Sequence, residues 1–440
     1  MNTTDPFVPP PRWYRFAWFL GRPPPLTQRQ WRMLGLVAAV SFFETYDLYL
    51  MSLNLKQIQA GLGIEESQLG TMLSFVRSGA LLALFVVPFA DRFGRRRVLL
   101  ATIVGYTVMT ALTALAPNVE TFVVLQFLAR IFAVAEGLLA TVVIVEEFAP
   151  EHRAWGIGAA AAIQASGAGF AAVMFGFVDV LPFGWRALYA IGIIPLGFIA
   201  YWRRMLPETG QFANLERTRT NVAGPAPMFR NLWRVAREQP RTFAMLAATF
   251  FCMSLASSSA GTFAPKYLQD AHGWLPAQVA TLTFVGGALA IIGNPLSGWL
   301  SDRFGRRPIG VVFGFGYGAA LLAFYSFGGI FVPVLWIGYV FFSMGIDVTL
   351  STYRAELFPT SMRSSASGAI NVVSVTGGIV GLLLVSALFD FAGGTWNAIR
   401  LVALLSLLVP VAIWLWFPET ARRALDDIAP DRLPQRTEDP

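Results

Sequence analysis

The chain has 440 residues, of which 55% are hydrophobic and only 13% are charged, about half the charged share of a soluble protein. Its charges are bunched between long apolar runs, which is typical of membrane helices joined by loops in water. The net charge of +7 therefore favours orientation in a membrane over nucleic-acid binding. The single cysteine, Cys252, and the two histidines, His152 and His272, have no metal-ligand neighbours at useful spacing, so we expect no disulfide, metal or cofactor.

Twelve apolar runs along the chain predict twelve membrane helices. The first six are 31–59, 67–90, 98–116, 120–147, 154–180 and 184–205. The other six are 241–269, 275–301, 308–329, 331–357, 364–391 and 395–417. We predict a cytoplasmic N-terminal segment, two helical bundles, a linker and a cytoplasmic tail, with the bounds 1–30, 31–205, 206–240, 241–417 and 418–440.

Basic residues are confined to alternate connections between the predicted helices. The N-terminus and the second, fourth, eighth and tenth connections carry Arg, whereas the opposite connections carry acidic residues such as Glu65, Glu120 and Asp390. Because positive residues stay in the cytoplasm, both termini are predicted to be cytoplasmic. We expect a multi-pass protein of a bacterial inner membrane.

An internal repeat divides the chain into halves. The sequence DRFGRR occurs at 91–96 and again at 302–307, and Pro-Glu-Thr recurs with the same offset of 211. The only two lysines, Lys56 and Lys266, are 210 residues apart. Each match falls at the same point of its six-helix half. The predicted fold class is therefore all-α integral membrane, with twelve transmembrane helices in two pseudo-symmetric six-helix bundles.

Three short motifs carry a family resemblance. DRFGRR joins the second and third helices of each half, Glu-x-x-Pro begins at Glu147 and again at Glu356 with an Arg after each Pro, and Pro-Glu-Thr follows the sixth and twelfth helices. These motifs resemble those of the major facilitator superfamily, and within it the sugar porters and the aromatic-acid type of metabolite–proton symporter. The family's leading Gly is present as Gly298, but Val87 replaces it in the first half, so we expect looser helix contact there.

The resemblance implies that the repeated motifs form a cytoplasmic gate, which holds one conformation and breaks in the other. The alternative is a set of basic loops that only orient the protein in the membrane. The predicted gate residues are Asp91, Arg92, Gly94, Arg95, Glu147, Arg153, Asp302, Arg303, Gly305, Arg306, Glu356 and Arg363.

Charged residues in the middle of a membrane helix are costly and point to function. Glu44 and Asp47 lie in the first helix, and Arg130 and Glu136 lie in the fourth. The Tyr-Asp pair ending at Asp47 resembles the first helix of proton symporters, which implies that Asp47 is a protonation site paired with an Arg of helix four. Arg130 is the candidate partner, and Glu44 and Glu136 are further candidates for proton coupling. The alternative is a permanent salt bridge between the two helices.

Four polar residues are candidates for binding the transported molecule. Arg77 has no cationic counterpart in the second half, where Ala288 stands, and such an asymmetric cation suits an anionic substrate. Its alternative role is a structural partner for Glu44 or Asp47. The complete set of candidates is Arg77, Gln164, Asp347 and Asn371. Ordinary contacts between helices are the alternative for the uncharged members.

These observations favour secondary active transport, namely proton-coupled symport of a small organic solute, with a lean towards an organic acid or another oxygenated metabolite. A proton-driven drug efflux antiporter is the alternative, although the fifth predicted helix lacks the Gly-Pro motif that such antiporters carry. A non-transporting membrane receptor is the alternative of another class. We expect no enzymatic activity, a small-molecule solute, protons and the lipid bilayer as partners, and a monomer. The solute, the direction of transport and the coupling ion stay open.

Overall fold

The computed structural model describes residues 7–93, 95–194, 234–423 and 425–430, which are almost entirely helical. The helices of the first part are α1 (Gln28–Leu53), α2 (Leu55–Leu62), α3 (Leu69–Phe93), α4 (Arg95–Thr113), α5 (Val119–Glu147), α6 (Pro150–Phe175) and α7 (Trp185–Ala190). Those of the second part are α8 (Pro240–Ala271), α9 (Pro276–Phe304), α10 (Arg306–Phe324), α11 (Val332–Glu356), α12 (Arg363–Ala387) and α13 (Thr395–Trp416).

Ten helices among the described residues are long and apolar enough to cross a membrane. The helix predicted at 98–116 corresponds to α4, whose apolar part at Arg97–Thr113 is shorter than the other ten. The helix predicted at 184–205 begins with α7, and its part after residue 194 lies outside the described residues. Within α9, Leu282–Gly286 forms a π-helical turn, a local widening that is frequent at functional sites.

The N-terminal segment carries structure that the sequence did not predict. The two-residue strands β1 (Phe7–Val8) and β2 (Leu26–Thr27) pair in antiparallel fashion around a 3₁₀ helix. Tyr14 and Trp31 pack edge to face, with ring centroids 5.1 Å apart. Thr27 caps α1 by accepting a hydrogen bond from the backbone N–H of Gln30, which satisfies a donor at the helix start.

The described residues cluster into two compact units. The first contains the chain up to residue 194 together with Thr262–Phe284, and the second contains the chain from residue 234 to Gly261 and from Val285 onward. Helix α8 therefore begins in the second unit and ends in the first.

In the first unit, α1 lies along α6, and α5 packs against both α3 and α4. Glycine makes the closest approach possible, because a Cβ atom at Gly167 of α6 would lie 2.1 Å from the carbonyl oxygen of Phe42 on α1. Likewise, a Cβ atom at Gly79 of α3 would lie 2.6 Å from the carbonyl oxygen of Phe127 on α5. Small residues are thus required where these backbones touch.

The second unit repeats this contact. A Cβ atom at Gly381 of α12 would lie 2.1 Å from the carbonyl oxygen of Leu255 on α8, which is again the fifth helix of a half against its first. Helix α11 packs along α10 and against α9, where Ser297 donates a hydrogen bond to the carbonyl oxygen of Gly345 at 2.7 Å. The duplicated sequence has therefore produced a duplicated helix contact.

Candidate functional site

Three helices of the first unit bring five charged side chains together. Helix α1 supplies Glu44 and Asp47, which share one face because they are three residues apart. Helix α5 supplies Arg130 and Glu136, and α3 supplies Arg77. The close contact of α3 with α5 at Gly79 also lies beside the site, because a Cβ atom at Gly79 would lie 3.3 Å from the Cβ of Arg130.

Arg130 lies within electrostatic range of both Asp47 and Glu44. Asp47 is buried at 8% exposure and is also close to the side chain of Thr110 on α4. Asp47 and Arg130, which the family resemblance pairs, thus lie within electrostatic range of each other. Glu44 lies between the two helices as well, since a Cβ atom at Gly137 of α5 would meet its Oε2 at 3.4 Å.

Glu136 is the most buried carboxyl group of the cluster, with 1% exposure. Neither of its side-chain oxygens has a hydrogen-bond partner among the residues that the structure describes. Glu44, a residue of the same sign, lies within electrostatic range of it. Burying an unpaired carboxylate is expensive, so a structural role alone does not account for this residue.

Three tyrosines surround the charged cluster, and two of them were not predicted from the sequence. Tyr46 donates a hydrogen bond to the carbonyl oxygen of Leu188 at 2.9 Å, and Tyr106 donates to that of Phe43 at 2.7 Å. Tyr189 lies near Asp47, Tyr46 and Arg130. Only Tyr46 belongs to a recognisable motif. Tyr106 and Tyr189 are isolated in sequence, so only the packing of α4 and α7 on α1 reveals them.

Arg77 is half-buried on α3, and its Nε has no hydrogen-bond partner within the described part of the chain. It lies within electrostatic range of Arg130. Arg77 therefore adds a second guanidinium group to the surroundings of Arg130. An anion, such as a substrate carboxylate, would be stabilised by it.

The other predicted substrate residues are distributed over both units. Gln164 is half-buried on α6 in the first unit. Asp347 on α11 and Asn371 on α12 are exposed and belong to the second unit. Asp347 lies within electrostatic range of Arg354, whose guanidinium group is stacked 5.4 Å from the ring centroid of Phe250. The structure thus places Arg77 near Arg130, and it places Asp347 near a cation of its own helix.

The second copy of the DRFGRR motif forms a compact ionic network in the second unit. Gly305 has φ +103°, a conformation that favours glycine, and the turn it makes exposes the first backbone N–H groups of α10. Glu419 of the Pro-Glu-Thr motif accepts hydrogen bonds from the backbone N–H of Arg306 at 2.9 Å and of Arg307 at 3.1 Å. A carboxylate at a helix N-terminus satisfies unpaired donors and complements the helix dipole.

The side chain of Arg306 links all three sequence motifs. Its Nη1 donates to Oε2 of Glu356 at 2.7 Å and to the hydroxyl of Thr420 at 3.3 Å. Its Nη2 lies 3.5 Å from Oδ1 of Asp302. Asp302, Arg306 and Glu356 were predicted as gate residues, and the structure places them in contact.

Hydrogen bonding determines the charge state of Glu419. Partial burial raises the pKa of its carboxyl group, but hydrogen bonds from the backbone N–H groups of Ala421, Arg306, Arg307 and Thr420 outweigh that effect, so the pKa lies below its usual value. Glu419 is therefore ionised at neutral pH. Glu419 belongs to a recognisable motif, but it was not among the gate residues predicted from the sequence.

The remaining gate residues are less connected. The guanidinium group of Arg303 lies 5.4 Å from the ring centroid of Trp299, and Arg153 donates from Nε to the carbonyl oxygen of Phe148 at 3.1 Å. The Nε of Arg363 is buried without a hydrogen-bond partner in the ranges described. The side chains of Asp91, Arg92, Arg95 and Glu147, and the whole of Gly94, lie outside the described part of the structure.

The leading glycine of the second motif copy makes no close contact. A Cβ atom at Gly298 would meet no atom of the described structure within 4 Å. Tight helix packing is therefore not what requires glycine at this position in the observed conformation. Val87, its replacement in the first half, lies in a stretch whose side chains are not described.

A cavity of about 1100 Å³ lies within the second unit. Its walls include Arg241, Met362 and Trp416, and none of the predicted substrate or proton-coupling residues lines it. In the described ranges, no group of three or more His, Cys, Asp and Glu side chains could hold a metal ion. The carboxyl–guanidinium cluster of the first unit is therefore the candidate site with the strongest chemistry.

Comparisons with known proteins agree with this architecture. The chain is 24% identical to the putative niacin/nicotinamide transporter NiaP of Bacillus subtilis, over 84% of this chain and 90% of that protein. It is 26% identical to the cis,cis-muconate transport protein of Acinetobacter baylyi, over 78% of this chain and 84% of that protein. The inward-open structure of the xylose transporter XylE from E. coli superposes with a TM-score of 0.70 at 15% identity, covering 91% of this chain and 99% of XylE.

The fold predicted from the sequence is confirmed by these relatives, whose architecture is an all-helical membrane transporter of twelve spans. The sequence profile of the Major Facilitator Superfamily matches residues 37–355, which is well over half of the chain and includes the charged cluster and the second DRFGRR motif. The chain is a membrane transporter that belongs to the Major Facilitator Superfamily.

Proposed function

We propose that the chain is a proton-coupled symporter that imports a small organic acid. The observation that carries this proposal is the cluster in which Arg130 lies near Glu44 and Asp47, Glu136 lies near Glu44, and Arg77 lies near Arg130. Relatives named for the transport of niacin, cis,cis-muconate and gallate support the substrate class, because each of these compounds carries a carboxyl group.

The charges of the cluster suggest why protons and an organic anion would move together. Three carboxylates against two guanidinium groups leave one net negative charge when all five are ionised. Binding of one proton makes the cluster neutral. Binding of a substrate carboxylate beside Arg77 then favours the binding of a second proton. Because uncompensated charge in a low-dielectric site is costly, anion and proton binding would favour each other.

Proton movement is assigned to Asp47 together with its neighbours. When Asp47 is protonated, it no longer holds Arg130, which is then free to pair with Glu44 or with the substrate. When Asp47 releases its proton, the ion pair with Arg130 re-forms. Alternating exposure of the site to the two sides of the membrane would turn this exchange into transport.

The test is uptake of labelled nicotinate, cis,cis-muconate and gallate into proteoliposomes with the purified protein, under an imposed pH gradient that is acidic outside. We expect uptake of at least one acid, and we expect a protonophore to abolish its accumulation. Asp47→Asn is expected to lose gradient-driven accumulation but to keep exchange of substrate across the membrane at equal pH. Accumulation by Asp47→Asn that equals that of the wild type would overturn the coupling assignment.

The role of Arg77 is tested separately with a matched pair of solutes. Nicotinamide carries a neutral carboxamide group where nicotinate carries a carboxylate, and the two solutes are otherwise identical. Arg77→Gln should therefore weaken nicotinate uptake about tenfold, the effect of about 1.4 kcal/mol, and leave nicotinamide uptake unchanged. Arg237→Gln, an exposed residue outside the site, is the control. An equal loss for both solutes would remove the anion-binding role.

We further assign both termini to the cytoplasm of a bacterial cell, with a monomer as the transporting species and the bundles bounded as 31–205 and 241–417. The distribution of Arg between the connections supports the orientation. A fluorescent protein fused to the C-terminus, which fluoresces only when it remains in the cytoplasm, tests it.

A further inference from the structure

The only two lysines of the chain converge on one carboxylate. Lys56 on α2 and Lys266 on α8 occupy equivalent positions of the sequence repeat, where they served only as markers of duplication. In the first unit, Nζ of Lys56 lies 3.0 Å from Oδ1 of Asp270, and Nζ of Lys266 binds Oδ2 of the same residue. Asp270 therefore bridges two ammonium groups that come from opposite halves of the sequence.

A second carboxylate completes the group. Nζ of Lys266 also lies 3.0 Å from Oε2 of Glu66, in the segment that precedes α3. The four residues Lys56, Glu66, Lys266 and Asp270, which we term the lysine bridge, balance two positive against two negative charges. The amide side chain of Gln59 also contacts this group, donating a hydrogen bond to Oε2 of Glu66 at 2.8 Å.

Burial makes the two lysines unequal. The side chain of Lys266 is 3% exposed, whereas that of Lys56 is 43% exposed. An ammonium group buried to this extent is tolerated because two carboxylates compensate it, and removing either would leave a buried charge without its full compensation. Lys266 and Asp270 therefore contribute most of the energy, and Lys56 contributes a weaker, solvent-screened pair.

The position of the lysine bridge determines what it holds. It joins the end of α8, the helix α2 and the segment that precedes α3, whereas the first DRFGRR motif spans the opposite end of α3. Helix α8 belongs to the second unit up to Gly261 and to the first unit from Thr262. The bridge is therefore an ionic attachment of the end of α8 to the first unit, supported one turn below by a hydrogen bond from Ser52 to the carbonyl oxygen of Thr262 at 2.8 Å.

We infer that the lysine bridge is the gate on the non-cytoplasmic side, which must dissociate once in each transport cycle. The inference rests on the proposed orientation and on alternating exposure of the site, but not on the identity of the solute or on proton coupling. Ion pairs suit this task because water can solvate the separated charges when the gate opens. A hydrophobic contact of the same area would have no such compensation.

The sequence repeat supplies an unusual test. Asp270 lies four residues after Lys266, but the equivalent position after Lys56 is the exposed Ala60. Because residues i and i+4 are neighbours on a helix, Ala60→Asp gives Lys56 a partner on its own helix. Lys56 then no longer depends on Asp270, and the gate is weakened without any loss of a native side chain.

The experiment reads gate opening from the reactivity of a single cysteine in intact cells. In a Cys252→Ala background, Ser52→Cys places the only thiol one turn below the lysine bridge, and a membrane-impermeant maleimide is added outside. We expect Asp270→Asn to accelerate labelling about tenfold, as a shift of about 1.4 kcal/mol would, and Ala60→Asp to accelerate it about threefold. Ala60→Asn and Glu238→Gln, which removes a carboxylate of the exposed Arg234–Glu238 pair, should match the parent.

Labelling rates of Asp270→Asn and Ala60→Asp that equal those of the parent would overturn the inference. Ala60→Asp lies on the surface and is expected to fold, so the test does not depend on the stability of the Asp270 variant. Since labelling requires neither substrate nor a proton gradient, failure of the proposed symport would leave this result interpretable.

Discussion

Arg306 donates a hydrogen bond from Nη1 to Oε2 of Glu356 at 2.7 Å, across 50 residues of sequence. Both side chains are 14% exposed, so water screens the pair only partly. The contact joins the DRFGRR motif to the Glu-x-x-Pro motif. Glu419 of the Pro-Glu-Thr motif joins the same network, because it accepts hydrogen bonds from the backbone N–H groups at the start of α10. The three repeated motifs of the second half are therefore parts of one network, which explains why they recur together.

Removing one member of the Arg306–Glu356 pair should destabilise the protein. We expect Arg306→Gln and Glu356→Gln each to lower the free energy of unfolding by about 1–3 kcal/mol, because the remaining charge loses its partner. The double variant should cost less than the sum, with a coupling energy of about 1–2 kcal/mol. Denaturation with increasing SDS in detergent micelles measures all three values. Strict additivity of the single variants would mean that the two side chains do not interact in solution.

The stability contributed by Glu419 should depend on pH. Its pKa is lower in the folded protein than in the unfolded chain, so its contribution is fully present above the unfolded value of about 4.3 and is lost as the pH falls through the folded value. Wild-type protein should therefore melt at a higher temperature than Glu419→Gln at pH 7, and the difference should shrink between about pH 5 and pH 3. A difference that does not change with pH would argue that Glu419 acts by shape alone.

The glycine contacts between helices predict two sharply different alanine variants on α6. Gly167→Ala places a methyl group against the carbonyl oxygen of Phe42, and we expect a loss of about 1–3 kcal/mol from overpacking. Gly158→Ala, where a Cβ atom meets nothing described within 4 Å, should be neutral or stabilise by up to about 1 kcal/mol. Thermal unfolding of the purified variants compares them. Equal melting temperatures would show that α1 and α6 can separate without cost.

Two tyrosine variants near the charged cluster form another matched pair. Tyr106→Phe removes the hydroxyl that donates to the carbonyl oxygen of Phe43, and the loss of this buried hydrogen bond should cost about 0.5–1.5 kcal/mol. Tyr189→Phe removes a hydroxyl without a hydrogen-bond partner among the described residues, so it should be neutral or slightly stabilising. The measurement is again the free energy of unfolding. A larger loss for Tyr189→Phe would point to a partner that only another conformation brings close.

The charged cluster was accessible to sequence reasoning because charge in an apolar helix is rare. Glu44, Asp47, Arg77, Arg130 and Glu136 each interrupt a long apolar run, and the cost of burying them identified them as functional candidates. Their arrangement was less predictable. That Glu136 faces Glu44, and that Arg77 approaches Arg130, depends on how α3 and α5 are rotated against α1, which periodicity does not specify.

The amino-acid sequence by itself determined that the chain is a twelve-helix membrane protein with duplicated halves, because lipid excludes charge and the repeat offsets are visible in the residues. Only the tertiary structure decided which distant residues share a site. Glu419 reaches the start of α10, and Lys56 and Lys266 reach Asp270, through side-chain directions set by packing. A motif shows which residue types occur at given positions of the sequence. Contact between two charged side chains also requires that their helices pack with those positions side by side, and only the folded chain determines that packing.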